Sequence, residues 1–104
     1  MTSPMPTLRR ADFATVRNHQ ERAVYAAVQA QAVQYPGLAH NPELLADVAC
    51  VALNRLPPRY IRHEVDFAFY LSDRERIEGE MQLQKTVDQA FGFVQARTAM
   101  RARG

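Results

Sequence analysis

The apolar segment Pro42–Leu53, closed a few residues later by Pro57 and Pro58, constrains the fold of this chain more than any other feature. Within it only Glu43 and Asp47 are strongly polar, so its apolar side chains would cover most of a helical circumference. A helix that is apolar nearly all round is buried in a globular domain. We therefore predict that this segment is the buried central helix.

Both ends of the central helix carry sequence signals. Asn41 is suited to cap the helix, Pro42 fits the first helical turn, and Glu43 favours the positive end of the helix dipole. A residue that precedes proline disfavours the α conformation. We expect the helix to end near Asn54–Leu56.

The length and composition indicate one small domain. With 104 residues, the chain has room for a single core. We place an irregular arm at residues 1–11, one helical domain at residues 12–101 and a tail at residues 102–104.

No apolar run reaches the ~18–20 residues that span a bilayer. The start, MTSPMPTLRRADF, lacks a signal-peptide core, which predicts a cytoplasmic protein. Cys50, the single cysteine, excludes an intrachain disulfide and is expected to be a buried apolar thiol.

The basic residues are unusual in kind rather than in number. All of the 13 lysine and arginine residues except Lys85 are arginine, while the net charge is only +2. Arginine has a planar guanidinium that suits phosphate and guanine, although a GC-rich genome would also favour arginine codons. The net charge is too small to argue for non-specific DNA binding, so nucleic acid is not the expected partner.

A first long helix is predicted from Asp12 to about Gln34. Apolar residues recur there at three- and four-residue steps, and Asp12 stands where an N-cap or first-turn acid belongs. The stripe consists of Phe13, Val16, Ala23, Val24, Ala27 and Val28.

The segment His63–Leu71 alternates between apolar and polar residues, which is typical of a half-buried strand. A strand without a partner leaves backbone polar groups unpaired. Three possibilities remain: it pairs with the N-terminal arm, it pairs with the same strand of a second subunit, or the segment is helical.

A C-terminal helix is predicted from the capping box Ser72–Glu75 to about Arg101. A helix of that length measures roughly 43 Å, far more than the ~13 Å radius of gyration of such a domain. Either it breaks near Gly79 or Gly92, or its apolar stripe docks on a partner subunit. Together with the strand, this predicts a homodimer. The stripe consists of Ile77, Met81, Val87, Phe91 and Val94.

The expected fold class is therefore mainly α. We predict a small three-helix domain with one buried central helix, a short strand after the double proline and a long C-terminal helix, assembled as a homodimer.

The sequence DVACVALNRLPPRYI resembles the signature of the late-competence development protein ComFB family, and Asn18-x-x-Glu21-x-x-Val24 is similar to the family's first-helix pattern. The resemblance covers roughly residues 15–95. It implies a small dimeric receptor for a cyclic dinucleotide, c-di-GMP or c-di-AMP, in bacterial signalling, competence or motility. The residues that match the family's block are Asn54, Leu56, Pro57, Pro58 and Tyr60.

Some members of this family bind zinc through cysteines in the connection that corresponds to Gln34–His40. This chain has no cysteine there, and His40 alone cannot supply the roughly four ligands of a zinc site. We expect no metal and no cofactor. No catalytic constellation stands out either, so we predict that the protein is not an enzyme.

Side chains suited to nucleotide recognition are dense after the central helix. Arginine binds guanine and phosphate bidentately, and a tyrosine stacked on a base contributes about 1–3 kcal/mol. The alternative is purely structural, with Tyr60 packed on the central helix and Arg62 paired with Glu64 or Asp66. The predicted ligand-binding residues are Asn54, Arg55, Arg59, Tyr60, Arg62, His63 and Asp66.

The function we expect is therefore a non-enzymatic cyclic-dinucleotide receptor, with c-di-GMP favoured over c-di-AMP by the preference for arginine. The alternative is a dimeric scaffold or interaction module that binds another protein. Nucleic-acid binding through Arg97, Arg101 and Arg103 is a third and less favoured hypothesis.

Overall fold

The computed structural model describes residues 10–65 and 71–103, and three α-helices dominate them. Two short strands pair in an antiparallel ribbon with Arg17 opposite Ile61 and Asn18 opposite Tyr60. The mainly helical fold with a long C-terminal helix is confirmed. In chain order the elements are a 3₁₀ turn Phe13–Thr15, β1 Arg17–Asn18, α1 His19–Gln31, a 3₁₀ turn Ala32–Gln34, α2 Pro42–Arg55, β2 Tyr60–Ile61 and α3 Asp73–Arg103.

The core lies where α1, α2 and the second half of α3 pack together. Tyr35, which follows α1, stacks on Phe91 of α3 with ring centroids 4.3 Å apart and nearly parallel planes. Its hydroxyl donates a hydrogen bond to Asp88 Oδ1. The largest fully buried side chains are Phe91, Val24, Val48, Val87 and Val94.

The first helix begins later than predicted. Asn18, not Asp12, caps α1, and its Oδ1 accepts the N–H of Gln20 at 3.1 Å. Asp12 precedes only a 3₁₀ turn and makes no side-chain capping bond. The predicted start was wrong because Phe13–Thr15 form a separate 3₁₀ turn and Arg17–Asn18 are extended and pair with β2. Phe13 is exposed rather than part of the buried stripe.

The bounds of α2 agree with the prediction. Asn41 caps the helix through Oδ1, which accepts the N–H of Leu44 at 3.1 Å, and Pro42 occupies the first turn. Leu56 is already extended, as expected for a residue before proline.

The burial of α2 is less complete than predicted, and Cys50 is exposed. The other helices cover only part of its circumference, so Leu45 and Leu53 stay half-buried. Together with Tyr25 of α1 they line an open apolar groove along α1 and α2, in which Cys50 also lies. The interpretation of Cys50 as a buried thiol was wrong.

The C-terminal helix α3 is continuous over 31 residues. The capping box forms, because Ser72 Oγ accepts the N–H of Glu75 at 3.1 Å. Neither Gly79 nor Gly92 interrupts the helix.

The predicted stripe of α3 is buried only in its second half. Val87, Phe91 and Val94 are core residues, whereas Ile77 is 53% exposed and Met81 is 67% exposed. The first half of α3 therefore presents an uncovered apolar side.

The chain leaves α2 through residues 57–59, which we call the double-proline turn, and then forms β2. A short strand after the prolines was predicted, but it lies at Tyr60–Ile61 and pairs with Arg17–Asn18 rather than spanning His63–Leu71. Glu64 and Val65 are helical, so the strand prediction was wrong for them, and residues 66–70 lie outside the described part. Within the described ranges, no helix combines the length and apolarity needed to cross a membrane.

Candidate functional site at the double-proline turn

Hydrogen bonds from the start of α1 hold the double-proline turn in place. Asn18 Oδ1 accepts the backbone N–H of Arg59 at 2.9 Å. The backbone N–H of His19 donates to the carbonyl oxygen of Arg59 at 2.7 Å. The buried Gln20 donates from Nε2 to the carbonyl oxygen of Pro57 at 3.2 Å. Two of these bonds engage the backbone of Arg59 and the third engages Pro57, so together they hold the main chain of the turn against α1.

The side chain of Arg59 lines a groove of about 560 Å³ between α1 and the first half of α3, which we call the α1–α3 groove. The wall contributed by α1 is formed by small side chains, two of which are exposed to solvent in the open groove. Such a wall leaves room for a flat ligand against the helix. We call this side of the groove the alanine wall; it consists of Ala23, Ala26, Ala27 and Ala30.

Charged groups of both signs surround this alanine wall. Arg59 from the turn and Arg76 from α3 supply guanidinium groups, while Glu75 and Glu80 supply carboxylates. Arg76 Nη2 lies 3.0 Å from Asp73 Oδ1, but both side chains are mostly exposed, so the pair is worth only about 0–1 kcal/mol. Arg76 can therefore exchange this partner for a ligand at little cost.

The α1–α3 groove has the size and chemistry of a site for a small anionic ligand. Ligand pockets typically measure about 300–1,000 Å³. Guanidinium groups bind phosphate oxygens, and carboxylates accept hydrogen bonds from amino groups of bases.

The structure separates the predicted site residues. Arg59 lines the α1–α3 groove, whereas Asn54 and Arg55 end α2 on another side of the domain. Asn54 donates from Nδ2 to the carbonyl oxygen of Cys50 at 2.9 Å. The Cζ atom of Arg55 lies 5.2 Å from the ring centroid of Phe93.

The predicted residues that follow the turn also lie outside the groove lining. Tyr60 is 69% exposed on β2 rather than packed on α2, and His63 is exposed. Arg62 donates from Nε to Thr15 Oγ1 at 3.2 Å. Asp66 lies outside the described residues.

Glu64 joins a basic cluster on α1 and β1 instead of the predicted pair with Arg62. Its carboxylate oxygens lie 3.3 Å from His19 Nδ1, 3.5 Å from Arg22 Nη1 and 3.9 Å from Arg17 Nη2. This cluster ties the segment after β2 to the start of α1. It is a structural contact next to the double-proline turn.

Sequence reasoning missed the groove residues that α3 and the start of α1 contribute. Glu75 and Gly79 lie four residues apart, as do Arg76 and Glu80, so the sequence places these residues in two adjacent rows of the helix. The packing of these residues against α1 could not be predicted, because no sequence signal shows which faces of the two helices are in contact. The missed residues are His19, Gln20, Glu75, Arg76 and Glu80.

These features define a small helical domain with an open, mixed-charge binding groove beside a clamped turn. The chain belongs to the late competence development protein ComFB family, which matches residues 17–98. The match starts at β1, so it includes the strand and cap that hold the double-proline turn. The resemblance seen in the sequence is confirmed, and family membership suggests a competence-related protein. No curated protein matches the chain significantly.

Proposed function

We propose that this protein is a non-enzymatic, cytoplasmic receptor for cyclic dinucleotides, with c-di-GMP preferred over c-di-AMP. The site is the α1–α3 groove, and Arg59 is its central cation. The observation that carries the proposal is the groove itself, which places two guanidinium groups, two carboxylates and an alanine wall around one open volume.

A cyclic dinucleotide matches this set of groups. Its two phosphates are partners for Arg59 and Arg76, and a purine ring lies flat against the alanine wall of α1. The clamp on the backbone of Arg59 supports the proposal, since a preorganised group loses little freedom on binding.

The preference for guanine rests on Glu75 and Glu80. The Watson–Crick edge of guanine presents two neighbouring N–H donors to a carboxylate, whereas that of adenine places an acceptor nitrogen beside its amino group. A carboxylate therefore favours guanine, in line with its acceptor role in base recognition.

We further propose that the receptor is a homodimer formed through the first half of α3. Ile77 and Met81 are exposed, and the helical repeat of about 3.6 residues places them on the side of α3 away from Gly79 and Leu83 in the groove. A second subunit on that side would bury both residues. The ligand would then bind to a helix that also forms the subunit boundary.

Isothermal titration calorimetry of the full chain with c-di-GMP and c-di-AMP tests the receptor function. We expect saturable binding of c-di-GMP tighter than about 100 µM, which corresponds to roughly −5.5 kcal/mol. Arg59→Ala should abolish it while the clamp on the turn stays in place, because those hydrogen bonds use backbone atoms of Arg59. Gly79→Leu should also abolish binding. The added side chain extends into the open space of the groove without a clash and occupies the volume that the ligand needs.

Matched controls separate the groove from the other predicted residues. Gly92→Leu adds the same side chain to the same helix outside the groove and should leave binding unchanged. Arg62→Ala and Tyr60→Ala should also bind normally. If these two variants lose binding while Arg59→Ala keeps it, the groove is not the site. If the unaltered chain binds neither ligand, the receptor proposal is wrong.

Sedimentation equilibrium tests the homodimer. The double substitution Ile77→Gln and Met81→Gln should yield a monomer, whereas Val33→Gln, which also alters an exposed apolar residue, should not. A monomeric unaltered chain would contradict the dimer without affecting the groove.

A further inference from the structure

An exposed surface with aromatic and basic side chains lies at the opposite end of α3, where this helix meets the end of α2. Phe93 is 40% exposed, and two guanidinium groups lie against its ring. The Cζ atoms of Arg55 and Arg97 are 5.2 Å and 5.5 Å from the ring centroid. Both distances are within the range of a cation–π contact.

The two arginines differ in whether a carboxylate neutralises their charge. Arg97 Nη2 lies 3.3 Å from Asp47 Oδ2 on α2, and this pair is partly buried. Arg55 is exposed and forms no salt bridge with any residue in the described ranges. One of the two arginines beside Phe93 is thus paired with a carboxylate, whereas the other is exposed to solvent.

The surface continues along α3 toward the C-terminus. Residues 93, 97, 100 and 101 follow the spacing of one helix face. Met100 is 72% exposed and Arg101 is exposed. We call the surface formed by Arg55, Phe93, Arg97, Met100 and Arg101 the basic aromatic patch.

We propose that the basic aromatic patch docks an acidic segment of another protein, whose carboxylate binds Arg55 as Asp47 binds Arg97 and whose apolar side chain covers Phe93 and Met100. Aromatic residues, methionine and arginine are the side chains enriched at the centres of protein interfaces. The two cation–π contacts hold Phe93 before the partner arrives, which lowers the entropic cost of docking.

The composition of the patch favours a protein segment over nucleic acid. Strong nucleic-acid binding requires many phosphate contacts. Asp47 already neutralises Arg97, so Arg55 and Arg101 are the cations of the patch that have no salt-bridge partner among the described residues. The exposed apolar area of Phe93 and Met100 lies between them. A negatively charged partner with apolar side chains satisfies both features.

Fluorescence anisotropy with a labelled synthetic peptide of glutamate and phenylalanine tests this proposal on the full chain. The matched peptide has glutamine in place of every glutamate, and labelled double-stranded DNA of mixed sequence is the third probe. We expect the glutamate peptide to bind and the glutamine peptide to bind at least about tenfold more weakly. Arg55→Ala and Phe93→Ala should each weaken binding of the glutamate peptide about tenfold or more.

Arg74→Ala is the control, because it removes an exposed arginine at the far end of α3 that pairs with Glu78. It should leave peptide binding unchanged. Arg55→Lys keeps the charge but loses the planar stacking group, and should show an intermediate affinity. Circular dichroism melting should show that each variant is folded.

Equal binding of the glutamate peptide to the unaltered chain and to Arg55→Ala would overturn the proposal. So would tighter binding of DNA that the same variants abolish, since it would assign the patch to nucleic acid. The patch and the α1–α3 groove share no residue, so a failure here leaves the receptor proposal intact.

Discussion

Asn18 and Arg59 are joined by one hydrogen bond, in which Asn18 Oδ1 accepts the N–H of Arg59 at 2.9 Å. The same oxygen accepts the N–H of Gln20 at 3.1 Å. A single side-chain oxygen therefore starts α1 and fixes the double-proline turn.

Asn18→Ala is expected to destabilise the fold by about 2–4 kcal/mol. Loss of an N-cap costs about 1 kcal/mol, and leaving a partly buried N–H without its acceptor costs a further 1–3 kcal/mol. Urea unfolding followed by circular dichroism measures this difference.

Asn41→Ala is the matched control, because Asn41 caps α2 through one bond to Leu44 and holds no distant segment. It should cost only about 1 kcal/mol. Equal losses in the two variants would show that the bond from Asn18 to Arg59 contributes nothing to stability.

The stability of the protein should fall above pH 10 because of Tyr35. The hydrogen bond to Asp88 raises the pKa of Tyr35, and burial and the negative charge of Asp88 raise it further. The unfolded chain then loses the phenolic proton at a lower pH than the folded chain. The stabilisation is complete below the unfolded pKa of 10.0 and is lost as pH rises through the folded pKa.

Tyr35→Phe should remove this alkaline dependence and lower stability at neutral pH by about 0.5–3 kcal/mol through loss of the hydrogen bond. Thermal unfolding of both proteins across the alkaline range provides the comparison. Parallel curves for the two proteins above pH 10 would contradict the assignment to Tyr35.

Gly79→Ala and Gly92→Ala should each stabilise the fold by about 0.5–1 kcal/mol. Both glycines lie inside α3, where glycine costs that amount relative to alanine. A Cβ atom at either position meets no atom within 4 Å, so no clash offsets the gain. Chemical denaturation of each variant gives the value, and a loss of stability at Gly79 would show that a neighbour fills that part of the groove.

Phe91→Ala should destabilise the protein by about 3–5 kcal/mol, because it removes a fully buried ring and leaves a cavity beside Tyr35. Phe93→Ala, two residues away and partly exposed, should cost about 1 kcal/mol. Urea denaturation of this pair tests which side of α3 faces the core, and a reversed order would contradict the packing described above.

Cys50 should react with a thiol reagent in the folded protein without denaturant, because it is exposed in the apolar groove along α1 and α2. The absorbance of the released thiolate follows the reaction. If Cys50 reacts only after unfolding, another molecule or subunit covers that groove.

The sequence predicted the elements whose signals are local. Asn41 and Pro42 marked the start of α2, and Ser72 with Glu75 marked the start of α3. The start of α1 was missed although Asn18, followed by Glu21 three residues later, is a local signal for a helix start. The prediction instead extended the apolar stripe back to Phe13 and Val16 and therefore chose Asp12.

Of the seven predicted ligand-binding residues, Arg59 alone is among the described residues that line the α1–α3 groove. Arg59 was identified from its chemistry beside the prolines, and it lines the α1–α3 groove. Arg76 and Glu80 were not identified, because their relevance depends on how α3 crosses α1. The exposure of Cys50 was missed for a similar reason, since the number of helices that cover α2 is a property of the packing.

The two adjacent prolines affect how much conformational freedom the turn that carries Arg59 can still lose after folding. Proline holds its φ angle near −65°, and here the pair is bounded by the buried Leu56 and by the clamped backbone of Arg59. A loop that presents a charged group to a ligand usually stiffens when the ligand arrives. In this protein that stiffening accompanies folding, so under the proposed receptor function the main chain that carries Arg59 needs no further ordering when the ligand binds.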